Sequence, residues 1–289
     1  MTIFTSSLFG NALLAGSVVA IVAAVVGYFV VIRAQVFAGE ALKDIGFAGA
    51  TGAALIGFES IFGMLALTLV AALAVGMLSR RIRGRDIEVG MVLSFALGIG
   101  VLFLSVWAHS SASHASSGMT ILFGSILSIG KVDIFVAVGG ALVACIAVAV
   151  LFRPLLFSSV DPVVAEARGV PVRMLSLLFM IILAVTVASS VLVVGVLLVS
   201  ALLIAPAAAA VNLTRSPGRA IGVSIAIALG STWTGLILAF APGAGHLPVG
   251  FTVSAIAAVV YLVSFALRRI RAPRPSAPLV HPSREVGLS

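Results

Sequence analysis

Residues 8–32 read LFGNALLAGSVVAIVAAVVGYFVVI and contain no charged side chain. At about 1.5 Å of rise per residue, a helix of this length outreaches a hydrocarbon core roughly 30 Å thick. With no polar face, it cannot lie on the surface of a protein in water. The pattern recurs along the chain. Further apolar runs fall at about 36–58, 60–78, 88–107, 132–152, 174–193, 195–211, 219–240 and 249–267, each of a length that spans a bilayer. This predicts an all-α, polytopic transmembrane helix bundle of about nine spanning helices, within a range of eight to ten. Between the fourth and fifth runs, Gly118 to Ile129 is too short to span. It fits a short re-entrant or interfacial helix shielded by neighbouring protein.

Composition agrees. Of 289 residues, 62% are hydrophobic and 9% charged, and the mean hydropathy is +1.30, so polar groups could not cover a water-exposed surface. Residues 1–271 form one membrane domain. The segment 272–289, with Pro273, Pro275, Pro278 and Pro282, is expected to be a disordered cytoplasmic tail. The formal net charge of +8 reports orientation and headgroup contact in such a chain and implies no nucleic-acid partner.

The cations choose a side. Arg33 and Lys43, then Arg80, Arg81, Arg83 and Arg85, then Arg153, Arg168 and Arg173, then Arg215 and Arg219, then Arg268, Arg269, Arg271 and Arg274 all fall at one end of the drawn spans. The other end holds Lys131, a Ser/His/Gly loop from His109 to Gly118, and a Pro/Gly loop from Pro242 to Gly250. Cytoplasmic loops collect Lys and Arg. The N-terminus is therefore expected outside and the C-terminus in the cytoplasm of a multi-pass cell-membrane protein. Met1 to Ser7 carries no basic residue and no small-residue cleavage site follows, so the first segment is expected to stay as a helix.

Several chemistries are excluded. The single cysteine, Cys145, lies in an apolar run and allows no intrachain disulfide. The chain has no G-x-x-x-x-G-K-[ST] phosphate loop, and its polar pieces are too short for a nucleotide-binding domain. G-x-S-x-G and H-E-x-x-H motifs are also missing. The chain is expected not to be an enzyme.

Polar groups inside the spans are the candidates for function. A charge at the centre of a lone membrane helix costs on the order of 2.5–3.5 kcal/mol, and Glu40, Lys43 and Asp44 occupy the first turns of the second span. The i, i+4 spacing sets both carboxylates on one helix face, where they repel unless a cation lies between them. That cation is either a passing divalent ion suited to hard oxygen ligands or Lys43 itself. The sequence leaves their depth open, since a late helix start would put Glu40 near the cytoplasmic interface. His109 and His114 are weaker metal candidates, read first as solvated loop residues. Pro206, inside an apolar span, removes a backbone donor and is expected to kink its helix.

Four stretches resemble the family of zinc, manganese and iron ABC importer permeases. Val194 to Ala210, VGVLLVSALLIAPAAAA, is similar to the signature G-x-L-L-V-x-A-L-L-x-x-P-A-A-x-A, with Gly195, Pro206, Ala207 and Ala208 in place. Val160 to Val172, VDPVVAEARGVPV, resembles the cytoplasmic D-P-x-x-A-x-x-x-G segment through Asp161, Pro162, Ala165 and Gly169. Leu122 to Asp133, LFGSILSIGKVD, is similar to L-F-G-x-I-L-x-V-x-x-x-D. Arg33 to Gly49, RAQVFAGEALKDIGFAG, resembles R-x-x-x-x-x-G-D-A-L-S-H-A-x-x-x-G, with Glu40, Lys43 and Asp44 replacing Asp, Ser and His.

The resemblance implies an all-helical permease for a divalent metal ion (Zn, Mn or Fe), with no cofactor bound in the chain. It implies cytoplasmic ATPase subunits that use ATP, an extracytoplasmic metal-binding protein, and a second permease copy in a homo- or heterodimer. By the same resemblance, Asp161, Pro162, Ala165, Glu166 and Gly169 form a helix that docks on the ATPase, and Glu40 and Asp44 line the metal path. Loss of the histidine removes a ligand favoured by zinc and points mildly to a harder ion. A permease for a metal chelate or cobalamin, or an ion-coupled secondary carrier, stands as the alternative.

Overall fold

The computed structural model describes residues 7–78, 85–110, 131–214, 216–240 and 248–271. The expected re-entrant segment Gly118 to Ile129, the tail 272–289, His114, and Arg80, Arg81, Arg83, Arg215 and Arg274 lie outside them, as does most of the Leu122 to Asp133 motif.

The described residues form helices α1 (Ser7–Ile32), α2 (Val36–Leu55), α3 (Ser60–Leu78), α4 (Arg85–Ser110), α5 (Lys131–Val160), α6 (Pro162–Ala167), α7 (Val172–Val194), α8 (Val196–Leu213), α9 (Pro217–Ala239) and α10 (Val249–Arg271), with no strand among them. Eight of these are long and apolar enough to cross a membrane. At 20 residues α2 also has the length, and it carries Glu40, Lys43 and Asp44. These nine long helices match the nine expected segments. The largest departure is α5, which runs past the expected end near residue 152, through Pro154, to Val160. Proline removes one i→i−4 bond without ending the helix.

Helices α1 and α7 form the centre of the bundle, with most of their spanning residues buried, whereas α3, α4, α5 and α10 are largely exposed on their outer faces. α2 is buried among α3, α4, α7 and α8, and α1 packs on α5, α8 and α9. With lipid outside, close backbone approach and internal satisfaction of polar groups hold such a bundle together. Gly49 and Gly63 meet backbone to backbone where α2 crosses α3, and Gly27 of α1 lies against the Leu203 carbonyl of α8. Buried hydroxyls bond mostly within their own helices, as Thr51 to the Phe47 carbonyl at 2.9 Å, Thr68 to Met64 at 2.7 Å and Thr186 to Ile182 at 2.8 Å. Ser224 instead reaches across to the Ala24 carbonyl at 3.2 Å.

The arginine-bearing junctions gather at one end. A cavity of about 1240 Å³ is lined together by Arg33 and Gln35 between α1 and α2, Met77 at the end of α3, Ser158 and Ser159 at the end of α5, Glu166 of α6, and Arg173 of α7. Arg268 donates to Asn212 at 2.7 Å, placing the end of α10 beside the end of α8. Lys43, grouped with these cations on sequence, lies within α2 and is buried.

Candidate functional site

Two places in the fold carry the residues singled out by sequence. The first is the charged turn of α2. Gly39 faces Leu203 Cδ2 and Leu183 Cδ2, at 3.4 and 3.9 Å from where its Cβ would stand. Leu183 lies midway along α7 and Leu203 near the middle of α8. Glu40, the next residue, is thus level with the middle of α7 and α8 and not with their ends. The α1–α2 junction is inset: Arg33 stacks 5.4 Å over the Phe179 ring, a residue well inside α7.

The three charges hold one another. Lys43 Nζ donates to Glu40 Oε2 at 2.5 Å and to Ser200 Oγ of α8 at 2.7 Å, and lies 3.6 Å from Asp44 Oδ1. Ser200 in turn donates to Glu40 Oε2 at 3.2 Å. Asp44 is 4% exposed overall and the Glu40 side chain 23%, so Glu40 is the open member of the cluster. Low local dielectric makes unpaired charges costly and paired ones strong, which explains how this charged turn is tolerated inside the bundle. Both carboxylates and a cation do meet, and the cation present is Lys43. Among the described residues no group of three or more His, Cys, Asp or Glu side chains could hold a metal ion.

Ser200 was not singled out by sequence. It is the one hydroxyl within Val196–Leu213 and occupies a variable position of the quoted signature. An isolated hydroxyl in an apolar span was the available signal. His109, expected in an outer loop, sits instead in the last turn of α4, its Nδ1 2.6 Å from the Ser105 carbonyl.

The second place is the short helix α6. Asp161 caps it through hydrogen bonds from the Val163 and Val164 amides at 3.1 and 3.0 Å, with Pro162 at the first helical position; both are strong start signals. At the other end Gly169 adopts φ 82°, its amide donates to the Glu166 carbonyl, and the Val170 amide to that of Ala165, each at 3.0 Å. This pair of bonds is a Schellman stop, and its left-handed residue favours glycine. Ala165 is fully buried, while Val163 and Val164 are 76% and 43% exposed, so α6 is anchored on one face and bare on the other. Beneath it, Arg33 donates to Ser158 and Ser159 at 3.2 and 3.4 Å. Burial lowers the Arg33 pKa from its ordinary value, though a guanidinium remains charged.

Gly195, the single residue between α7 and α8, has φ 85° and ψ 162°, a region essentially reserved for glycine. Pro206 is buried inside α8, which continues helical to Leu213. The two signature residues thus mark a forced helix break and a donor-less position in the helix that carries Ser200.

A bundle of lipid-length helices with a capped, bare-faced helix at its basic end defines a multi-pass membrane subunit with a surface free for partners. Residues 6–268 match the ABC 3 transport family, and the chain belongs to that family. It is the permease subunit of an ABC importer and not itself an enzyme, since in this family ATPase activity lies in a separate subunit. It is 31% identical over 206 residues to the manganese transport system membrane protein MntC of Halalkalibacterium halodurans, covering 71% of this chain and 69% of that one. It is 28% identical over 256 residues to the manganese import system permease protein ScaB of Streptococcus gordonii, covering 88% and 89%. Among solved structures it superposes on PsaBC from Streptococcus pneumoniae, determined in complex with Fab, with a TM-score of 0.79 at 26% identity over 91% of this chain and 93% of the other.

Proposed function

We propose that the chain imports a divalent transition metal ion, with manganese the first candidate, as half of a permease dimer served by two cytoplasmic ATPase subunits and an extracytoplasmic binding protein. The observation that carries the cargo class is the pair of carboxylates, Glu40 and Asp44, that α2 holds inside the bundle around Lys43, since ionisable groups within membrane helices mark ion pathways. Hard oxygen ligands suit Mn²⁺ or Fe²⁺, and the relatives named above are manganese permeases. The arginine-bearing end is the cytoplasmic one, which leaves the N-terminus outside and the C-terminus inside. α6 lies at that end, and its exposed Val163 and Glu166, with Val160 at the end of α5, form the contact for the ATPase. ATP hydrolysis by the partners rocks the bundle through α6. Glu40 and Asp44 give the ion a transient stop, weak enough to release.

The test is metal accumulation in whole cells grown in metal-poor medium, with Zn, Mn, Fe and Co read together by mass spectrometry. Deletion of the gene is expected to deplete one metal, restored by the intact chain and not by one lacking residues 161–169. Unchanged content of all four metals would overturn the reading.

A further inference from the structure

We propose that Lys43 is a tethered counter-cation seated where the passing ion binds, and that Glu40, Asp44 and the Ser200 hydroxyl become the ion's ligands when the ammonium swings away. This rests on the metal-path reading above and adds to it a mechanism of admission and release.

The geometry is that of an occupied cation position. Lys43 Nζ donates to Glu40 Oε2 at 2.5 Å and to Ser200 Oγ at 2.7 Å, and Asp44 Oδ1 stands at ion-pair distance, 3.6 Å away, so three oxygens surround the ammonium. Glu40 Oε2 and Ser200 Oγ are 3.2 Å apart. Adjacent ligands at right angles around a small dication, at metal–oxygen distances near 2.1 Å, stand about 3 Å apart. That pair is therefore already spaced as adjacent ligands, Asp44 Oδ1 has to close in to join them, and a dication brings twice the charge to the same carboxylates.

The lysine also has the means to leave. Its charge sits on a flexible four-carbon stem, and the partly exposed Glu40 gives the approaching ion its first contact. With the ammonium seated, the cluster carries one net negative charge and the ion must compete for entry. Once the ion moves on, the returning ammonium blocks its way back. A permanent pair of bare carboxylates would bind more tightly and release more slowly.

The test uses the assembled transporter with its ATPase in nanodiscs, with Mn²⁺ binding followed by electron paramagnetic resonance and uptake measured in cells. Lys43→Gln is expected to tighten Mn²⁺ binding by about 10- to 1000-fold, the range over which a neighbouring charge shifts proton affinity at a carboxylate, and to slow uptake. Lys43→Arg, which keeps the charge and bridges the carboxylates with a less yielding fork, is expected to weaken Mn²⁺ binding and stop uptake. Wild-type affinity in Lys43→Gln, or wild-type binding and uptake in Lys43→Arg, would overturn the proposal, and the arginine variant decides if the glutamine variant does not assemble. The paired substitution Glu40→Gln with Asp44→Asn separates the two claims. Uptake retained there sinks the metal path itself, whereas uptake lost there with unaltered affinity in Lys43→Gln sinks only the role of the lysine.

Discussion

Replacing Gly27 by alanine should separate α1 from α8 and disturb the charged cluster without touching it. A Cβ at this position would collide with the Leu203 carbonyl oxygen, and would stand 3.0 Å from the carbonyl carbon and 3.4 Å from Leu203 Cα. The obstacle is helix backbone, which cannot rotate aside as a side chain can. The helices must part by about 1 Å, since packed interiors have no slack. Overpacking of this kind costs about 1–3 kcal/mol, and the rigid obstacle puts the expected loss at the upper end. Ser200 lies one turn from Leu203 on the same helix, so its 2.7 Å bond from Lys43 should lengthen as well. Gly46→Ala is the control, because its Cβ would meet the Thr68 Cγ2 methyl at 2.6 Å and otherwise only the flexible Met64 side chain, and Thr68→Ser removes that methyl. Heat-challenged, detergent-solubilised transporter followed by size-exclusion chromatography reads the fraction that stays assembled. The expected pattern is a large loss for Gly27→Ala that Leu203→Ala does not repair, beside a loss for Gly46→Ala that Thr68→Ser does. Wild-type stability of Gly27→Ala, or its rescue by Leu203→Ala, would refute the backbone-contact argument.

Three further outcomes are expected. Asp161→Ala removes the cap of α6 and should cost about 0.5–2 kcal/mol of local helix stability, lowering uptake while membrane insertion stays normal; Asp161→Asn should retain most uptake, and equal uptake in all three forms would deny the cap a role. Gly195→Ala places a side chain on a backbone of φ 85° and ψ 162° at a cost on the order of 1–3 kcal/mol, measurable as a lower thermal midpoint of the purified complex. Glu40→Gln with Asp44→Asn leaves the Lys43 ammonium buried without a carboxylate, and breaking such a pair from one side costs about 3–5 kcal/mol. Adding Lys43→Met to that pair should recover most of the lost stability and none of the uptake, and a triple variant no more stable than the double would contradict the pairing.

Much of this was legible before any tertiary contact was known, for reasons particular to individual residues. The start of α6 follows from Asp161 and Pro162, and its stop from Gly169, because capping acts within one helical turn. The span 60–78 coincides with α3 because a polar loop bounds it. The expected end of α5 near residue 152 came too early: the helix runs on through Pro154 to Val160, as α8 continues through Pro206, since buried neighbours compensate one missing donor. His109 was read into a loop because Ser and His lack the apolar character that marked the rest of α4.

The depth and partners of Glu40 could not be read along the chain. An apolar run long enough to cross a bilayer declares itself in one dimension, and so did the membrane class, the nine long helices and the arginine asymmetry, because hydropathy and charge are properties of consecutive residues. Ser200 reaches Lys43 from 157 positions away, and Gly27 admits the Leu203 carbonyl only because two distant helices cross there. Which groups neutralise a buried charge, and how deep it sits, is settled by helix packing, and in a bundle held by close backbone approach that is a property of the tertiary structure alone.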